Sequence, residues 1–114
     1  MATSKMQLLK PITAPVALTK TSAVTNSGSS AYRCGDIIKI SVDVTMASAH
    51  QTWINVLELD ANAPKLGGYC VFIPIDGNGA PIYGQVIDND GVPTLRFASC
   101  QAKQYRGECV LIVK

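Results

Sequence analysis

Histidine and tryptophan occur once each in this chain of 114 residues, and charged side chains make up only 16% of it. Globular domains usually carry roughly 25% charge, and a surface this poor in charge implies cover from other subunits. The net charge is +2 and the basic residues do not cluster, so a nucleic-acid partner is not expected. No apolar run approaches the ~20 residues of a membrane span. Residues 1–10 lack the apolar stretch of a signal peptide. The expectation is synthesis in a cytoplasm, with no membrane partner.

The shortage of histidine also limits chemistry. A zinc site needs closely spaced Cys/His pairs. The four cysteines, Cys34, Cys70, Cys100 and Cys109, are scattered, and His50 stands alone in a polar link between two strands. The cysteines read as free thiols packed as small hydrophobes, and His50 as a solvated loop residue. A nucleophilic triad would have to use His50, and no two carboxylates are paired by the sequence. Two Asp/Asn/Gly clusters, at residues 76–79 and 88–91, resemble the opening of a calcium loop but lack its distant bidentate glutamate. They read as hairpin turns, because Asn, Asp and Gly tolerate positive φ. No glycine-rich phosphate loop is present. The chain is therefore read as a non-enzyme with no metal and no cofactor.

What the chain does have is strand pattern. In residues 36–46, Ile38, Ile40, Val42 and Val44 alternate with Lys39, Ser41 and Asp43, the mark of a half-buried strand. Residues 53–59 read as a second strand, with Trp53, Leu57 and Leu59 on one face and Ile54 and Val56 on the other. Residues 69–75 form a near-continuous apolar run suited to a strand covered on both sides. Further strands are expected at 81–87, 93–99 and 108–113. Strand starts recur at about the spacing of a β-sandwich or barrel. The first third differs. Pro11 and Pro15 interrupt it, so it reads as edge strand or extended arm. The expected division is an N-terminal arm over residues 1–25 and an all-β, antiparallel β-sandwich domain over residues 26–114.

The candidate ligand contacts are few. Phe72 and Phe97 lie in apolar strands and read as core. Trp53 also reads first as core. Tyr83 lies beside a turn, and Tyr105 falls in a polar loop over residues 101–107. An exposed aromatic ring covers the apolar face of a sugar, while a neighbouring charged group takes its hydroxyls. Trp53, Tyr83, Arg96, Tyr105 and Arg106 are the residues that fit this description.

The run Tyr32-Arg33-Cys34-Gly35-Asp36 and the alternating strand after it resemble the start of the C-terminal head domain of bacteriophage tail-fibre and receptor-binding proteins. The likeness continues through the strand at 53–59, a proline-bearing turn at 60–64, the apolar strand at 69–74, the hairpin with Asn89-Asp90-Gly91 and the strand at 107–113. It covers residues 24–113. The resemblance implies a jelly-roll-like sandwich, assembled as a homotrimer, that binds host-surface saccharide in a cleft often shared by two subunits. It also implies a virion location. The long shaft that normally precedes such a head has no counterpart ahead of Tyr32, and the turn at Gly67-Gly68 is longer than usual. These departures favour direct attachment to a capsid or baseplate protein. The expected function is a non-enzymatic virion surface protein that binds host glycan. A capsid decoration or head-fibre protein with a purely structural role, anchored by its arm, is one alternative. A cellular carbohydrate-binding module is the other.

Overall fold

The computed structural model describes residues 13–60 and 82–112. The expected strand at 69–75, with Cys70 and Phe72, and the turns at 67–68 and 76–79 lie outside the described residues, as do residues 1–12.

Nine strands and no helix are found among the described residues. They are β1 (Thr13–Val16), β2 (Leu18–Lys20), β3 (Val24–Ser27), β4 (Ser30–Cys34), β5 (Ile37–Met46), β6 (Ile54–Leu59), β7 (Gly84–Asn89), β8 (Val92–Phe97) and β9 (Gln104–Ile112). All pair antiparallel, in two sheets. The first holds β1, β4, β5, β3 and β9, and the second runs β2-β6-β8-β7. The chain is all-β, and both sheets feed one hydrophobic core.

β5 organises the first sheet. Its alternation buries Ile38, Ile40, Val42, Val44 and Met46 against the core. One edge pairs along nine residues with β9. The other pairs with β4 over Ile37–Ser41 and with β3 near Val44–Met46. β3 and β4 thus form one interrupted strand, broken at Gly28-Ser29. Ser29 repairs the break: its hydroxyl accepts a hydrogen bond from the Asp43 amide (2.9 Å) and donates to the Asp43 carbonyl (3.2 Å). Gly28 donates to that carbonyl as well (2.8 Å). A buried backbone group without a partner costs about 1–3 kcal/mol, so these bonds keep the ladder intact through the interruption.

Sequence and structure part company in β6. Strict alternation places Trp53, Leu57 and Leu59 on one face. A register shift between Asn55 and Leu57 inserts one extra residue, and Val56 and Leu57 are both buried. The bulge reverses the phase. Ile54, Val56, Leu57 and Leu59 turn to the core, while Trp53 and Asn55 stay on the outer face. The carbonyl of Val56 accepts from the Thr21 amide (3.0 Å), so the bulge is not left unpaired.

The hairpin between β7 and β8 has a two-residue loop, Asp90-Gly91, with φ of 54° and 85°. Both positive angles are what a type I′ turn demands. The Asp88 carboxylate accepts from the Gly91 amide (2.7 Å).

Residues 13–25, expected within the arm, are woven into both sheets. β1 pairs with β4, the chain crosses at Ala17, and β2 pairs with β6. Pro15 is tolerated because β1 is an edge strand. The expected boundary between residues 25 and 26 falls inside β3, because Val24 is core while Thr25 and Asn26 continue the same strand.

The core joins Ile38, Ile40, Val44, Tyr105 and Leu111 from the first sheet to Val56, Leu57, Val86, Leu95 and Phe97 from the second. Truncating such a residue leaves a cavity as well as losing transfer energy. We expect Ile40→Ala to lower stability by about 2–5 kcal/mol. Ile37→Ala, three residues away on the solvent face, should shift it by under about 0.5 kcal/mol. Urea unfolding of the two variants checks the assignment of faces.

Candidate functional site

The outer face of the second sheet gathers side chains from three strands. Register sets Asn55 of β6, Arg96 of β8 and Gln85 of β7 side by side. Arg96 is held in place. Its Nε and Nη2 both donate to Gln85 Oε1, at 3.1 and 2.7 Å. Its guanidinium lies over the Trp53 ring, 4.3 Å from the centroid. A planar cation stacked on an indole in this way is attracted by the ring quadrupole.

One register step beyond Phe97, the Ala98 amide donates to the Tyr83 carbonyl (3.0 Å). Trp53 precedes β6 on the other side of Ala98, since Ile54 is opposite Phe97. Tyr83 is two residues from Gln85 and so shares its face. Trp53 is 46% exposed and Tyr83 61%. Two strand spacings separate their backbones, roughly 10 Å, with only a methyl side chain between. The result is a row of two exposed aromatic rings, the indole with Arg96 over one of its faces, backed by a row of amide and guanidinium groups. Such a surface can stack on the apolar face of a sugar while Asn55, Arg96 and Gln85 present donors and acceptors to its hydroxyls.

Three of the five expected contacts, Trp53, Tyr83 and Arg96, meet here. The other two do not. Tyr105 was expected in an exposed loop, but β9 begins at Gln104 and turns Tyr105 inward, 2% exposed. Its ring meets Phe97 edge-on at 5.7 Å, and its hydroxyl accepts from the Gln101 amide (2.9 Å). Inward alternation opposite Val44 is the reason. Arg106 lies on the outer face of the other sheet, where its Nε is 3.7 Å from Asp43 Oδ1. Gln104 donates to the same oxygen (2.7 Å). Asn55, Gln85 and Ala98 were not anticipated. Their signal was the i, i+2 spacing from Trp53, Tyr83 and Arg96, which puts each pair on one strand face.

A cavity of about 600 Å³ opens at the same end of the molecule, lined among others by His50, Gln51, Ser99, Cys100, Gln101 and Tyr105. His50 and Cys100 form an isolated antiparallel bridge through two backbone bonds, of 2.9 and 3.0 Å. His50 Nε2 is 3.3 Å from the Ser48 hydroxyl, a contact exposed to solvent. Cys34, Cys100 and Cys109 are free thiols. Burial pushes the Cys100 thiol up from its usual range, and a hydrogen bond from the His50 backbone offsets this only in part. A thiol held protonated is a poor nucleophile and a poor metal ligand. Among the described residues, no three His, Cys, Asp or Glu side chains gather as a metal site requires. No helix among them is long and apolar enough to cross a membrane. Compared with known families, curated proteins and solved structures, the chain has no significant match.

Two outcomes follow. Trp53 is the only tryptophan, so tryptophan emission, excited where the four tyrosines do not absorb, reports this face alone. Arg96→Ala uncovers the indole, and its emission should move to longer wavelength with the circular dichroism unchanged. The Cys100 thiol ionises earlier in the unfolded chain than in the folded one. Its stabilising effect is therefore complete below the ordinary thiol range and is lost as pH rises through that range toward the raised folded value. Cys100→Ala should flatten the fall in stability as pH rises through the ordinary thiol range, from about pH 8 upward, read from urea midpoints.

Proposed function

We propose that this chain is a non-enzymatic surface protein of a bacteriophage particle, related in kind to fibre heads, that holds host cell-surface saccharide on the outer face of its second sheet. The observation that carries this reading is the pair of exposed rings, Trp53 and Tyr83, flanking Ala98, with Arg96 fixed by Gln85 against the indole. An arginine already held in place loses little conformational freedom when a ligand arrives. The resemblance over residues 24–113 adds the jelly-roll order, the homotrimer, the virion location and a capsid or baseplate partner to the proposal.

The second reading, a purely structural capsid decoration or head-fibre role, draws on the other sheet. Tyr32, Ile37, Val110 and Ile112 are exposed there on one end of its outer face. Tyr32 and Val110 flank Lys39, and Ile112 is opposite Ile37, so the four are contiguous. Apolar side chains gathered in this way suit contact with another protein. In the fibre-head reading the same face serves sister subunits.

A glycan array separates the two. In the first reading wild-type protein retains a saccharide, and Trp53→Ala or Tyr83→Ala weakens retention by about tenfold, as loss of one stacked ring should. Folded wild-type protein that retains no glycan removes the first reading and leaves the structural one.

A further inference from the structure

Among the described residues strand β9 pairs only with β5, and none of them pairs with its other edge. The Lys103 carbonyl accepts from the Met46 amide, which fixes which way the strand faces. Backbone groups alternate sides along a strand. Odd-numbered residues of β9 therefore address β5. The even-numbered ones, Gln104, Arg106, Glu108, Val110 and Ile112, turn their N–H and C=O groups to the other edge. Natural edges are usually blunted by proline, a bulge, a short length or charged side chains. β9 has neither proline nor bulge and runs nine residues in unbroken register with β5. Its charges, Arg106 and Glu108, are of opposite sign two residues apart, so they repel a second strand in some registers and attract it in others.

We propose that two copies of the chain join through this edge, β9 against β9, in the antiparallel register centred on Gly107. Hydrogen bonding requires even residues to face even residues, so the two-fold axis falls on a residue and not between two. A centre on Arg106 sets arginine against arginine, and a centre on Glu108 sets glutamate against glutamate. Like charges directly opposite destabilise a pair. The centre on Gly107 sets Arg106 opposite Glu108 of the second copy, twice by symmetry, and Gln104 opposite Val110. It also extends pairs already made within each chain. Arg106 lies beside Asp43, and Glu108 lies 3.4 Å from Lys39. Signs then alternate across the joined sheet, from Lys39 through Glu108 to Arg106 and Asp43 of the second copy. The contact is isologous and closes on two copies. It borders the apolar end, to which Val110 and Ile112 of β9 belong, and leaves the Trp53 face free, so it is independent of the saccharide reading.

Sedimentation analysis of the full chain tests it. Wild type should associate in pairs. R106E and E108R should each weaken association by about tenfold or more, because each turns two attractive cross-strand pairs into repulsive ones. An equimolar mixture of the two variants should pair as wild type does, since every cross-strand contact in the mixed dimer again joins opposite charges. The double variant R106E/E108R should also recover. Recovery on mixing shows at once that neither variant is misfolded. A wild-type monomer at roughly 100 μM, far above the micromolar range of weak complexes, would overturn the proposal. So would single variants that associate as wild type does, or a mixture no better than its components. A trimer indifferent to both charges overturns it while leaving glycan binding untouched. Lost glycan binding with pairing intact does the reverse.

Discussion

Strand β5 carries both the longest ladder and the largest share of the core. Its inward residues, Ile38, Ile40, Val42, Val44 and Met46, are buried without exception. Each contributes about 1.5–3 kcal/mol by leaving water, so this one strand face supplies a large part of the driving force. Its edges are satisfied by β9 on one side and by β3 and β4 on the other. The rest of the first sheet is arranged around keeping that strand dry and paired. Ser29 shows how closely: where β3 gives way to β4, its hydroxyl takes the place of the missing backbone acceptor for the Asp43 amide, while the Gly28 amide and the same hydroxyl bond the Asp43 carbonyl.

The two sheets are tied by the chain as well as by the core. β1 and β2 are separated by one residue, Ala17, yet belong to different sheets. A crossing of this kind couples the edges of both layers, so an N-terminal stretch that looks expendable by composition is part of the fold. The bulge in β6 does comparable work at the other end. By switching phase at Val56 it lets one strand send Ile54 and Leu57 inward while offering Trp53 and Asn55 to solvent.

The outer faces of the two sheets differ in chemistry. The second presents aromatic rings with a fixed guanidinium, the surface proposed above to hold saccharide. The first presents an apolar end beside a charged end, with Lys39, Glu108, Asp43 and Arg106 of alternating sign. That division fits a molecule that uses one side to hold a ligand and the other to meet protein. The low charge content is consistent with it, since interface cores are depleted of charge.

The all-β class, the inward set of β5 and the Asp90-Gly91 turn were legible in the sequence, because period-two alternation and positive-φ residues are local properties of the chain. The bulge was not, since a single extra residue leaves no mark on composition and is seen only when a partner strand supplies the register. The bulge is why Trp53 read as core, while Tyr105 read as exposed because β9 begins at Gln104, ahead of the apolar run that marked its strand. The residues of the aromatic face were visible as types, but not as a group. Trp53, Tyr83 and Arg96 lie on three strands that sequence separates and pairing makes adjacent. Local pattern thus determined which segments would be strands and which side chains seek the interior. Only tertiary structure decided which strands are neighbours, and neighbourhood across a ladder is what turns scattered side chains into a surface.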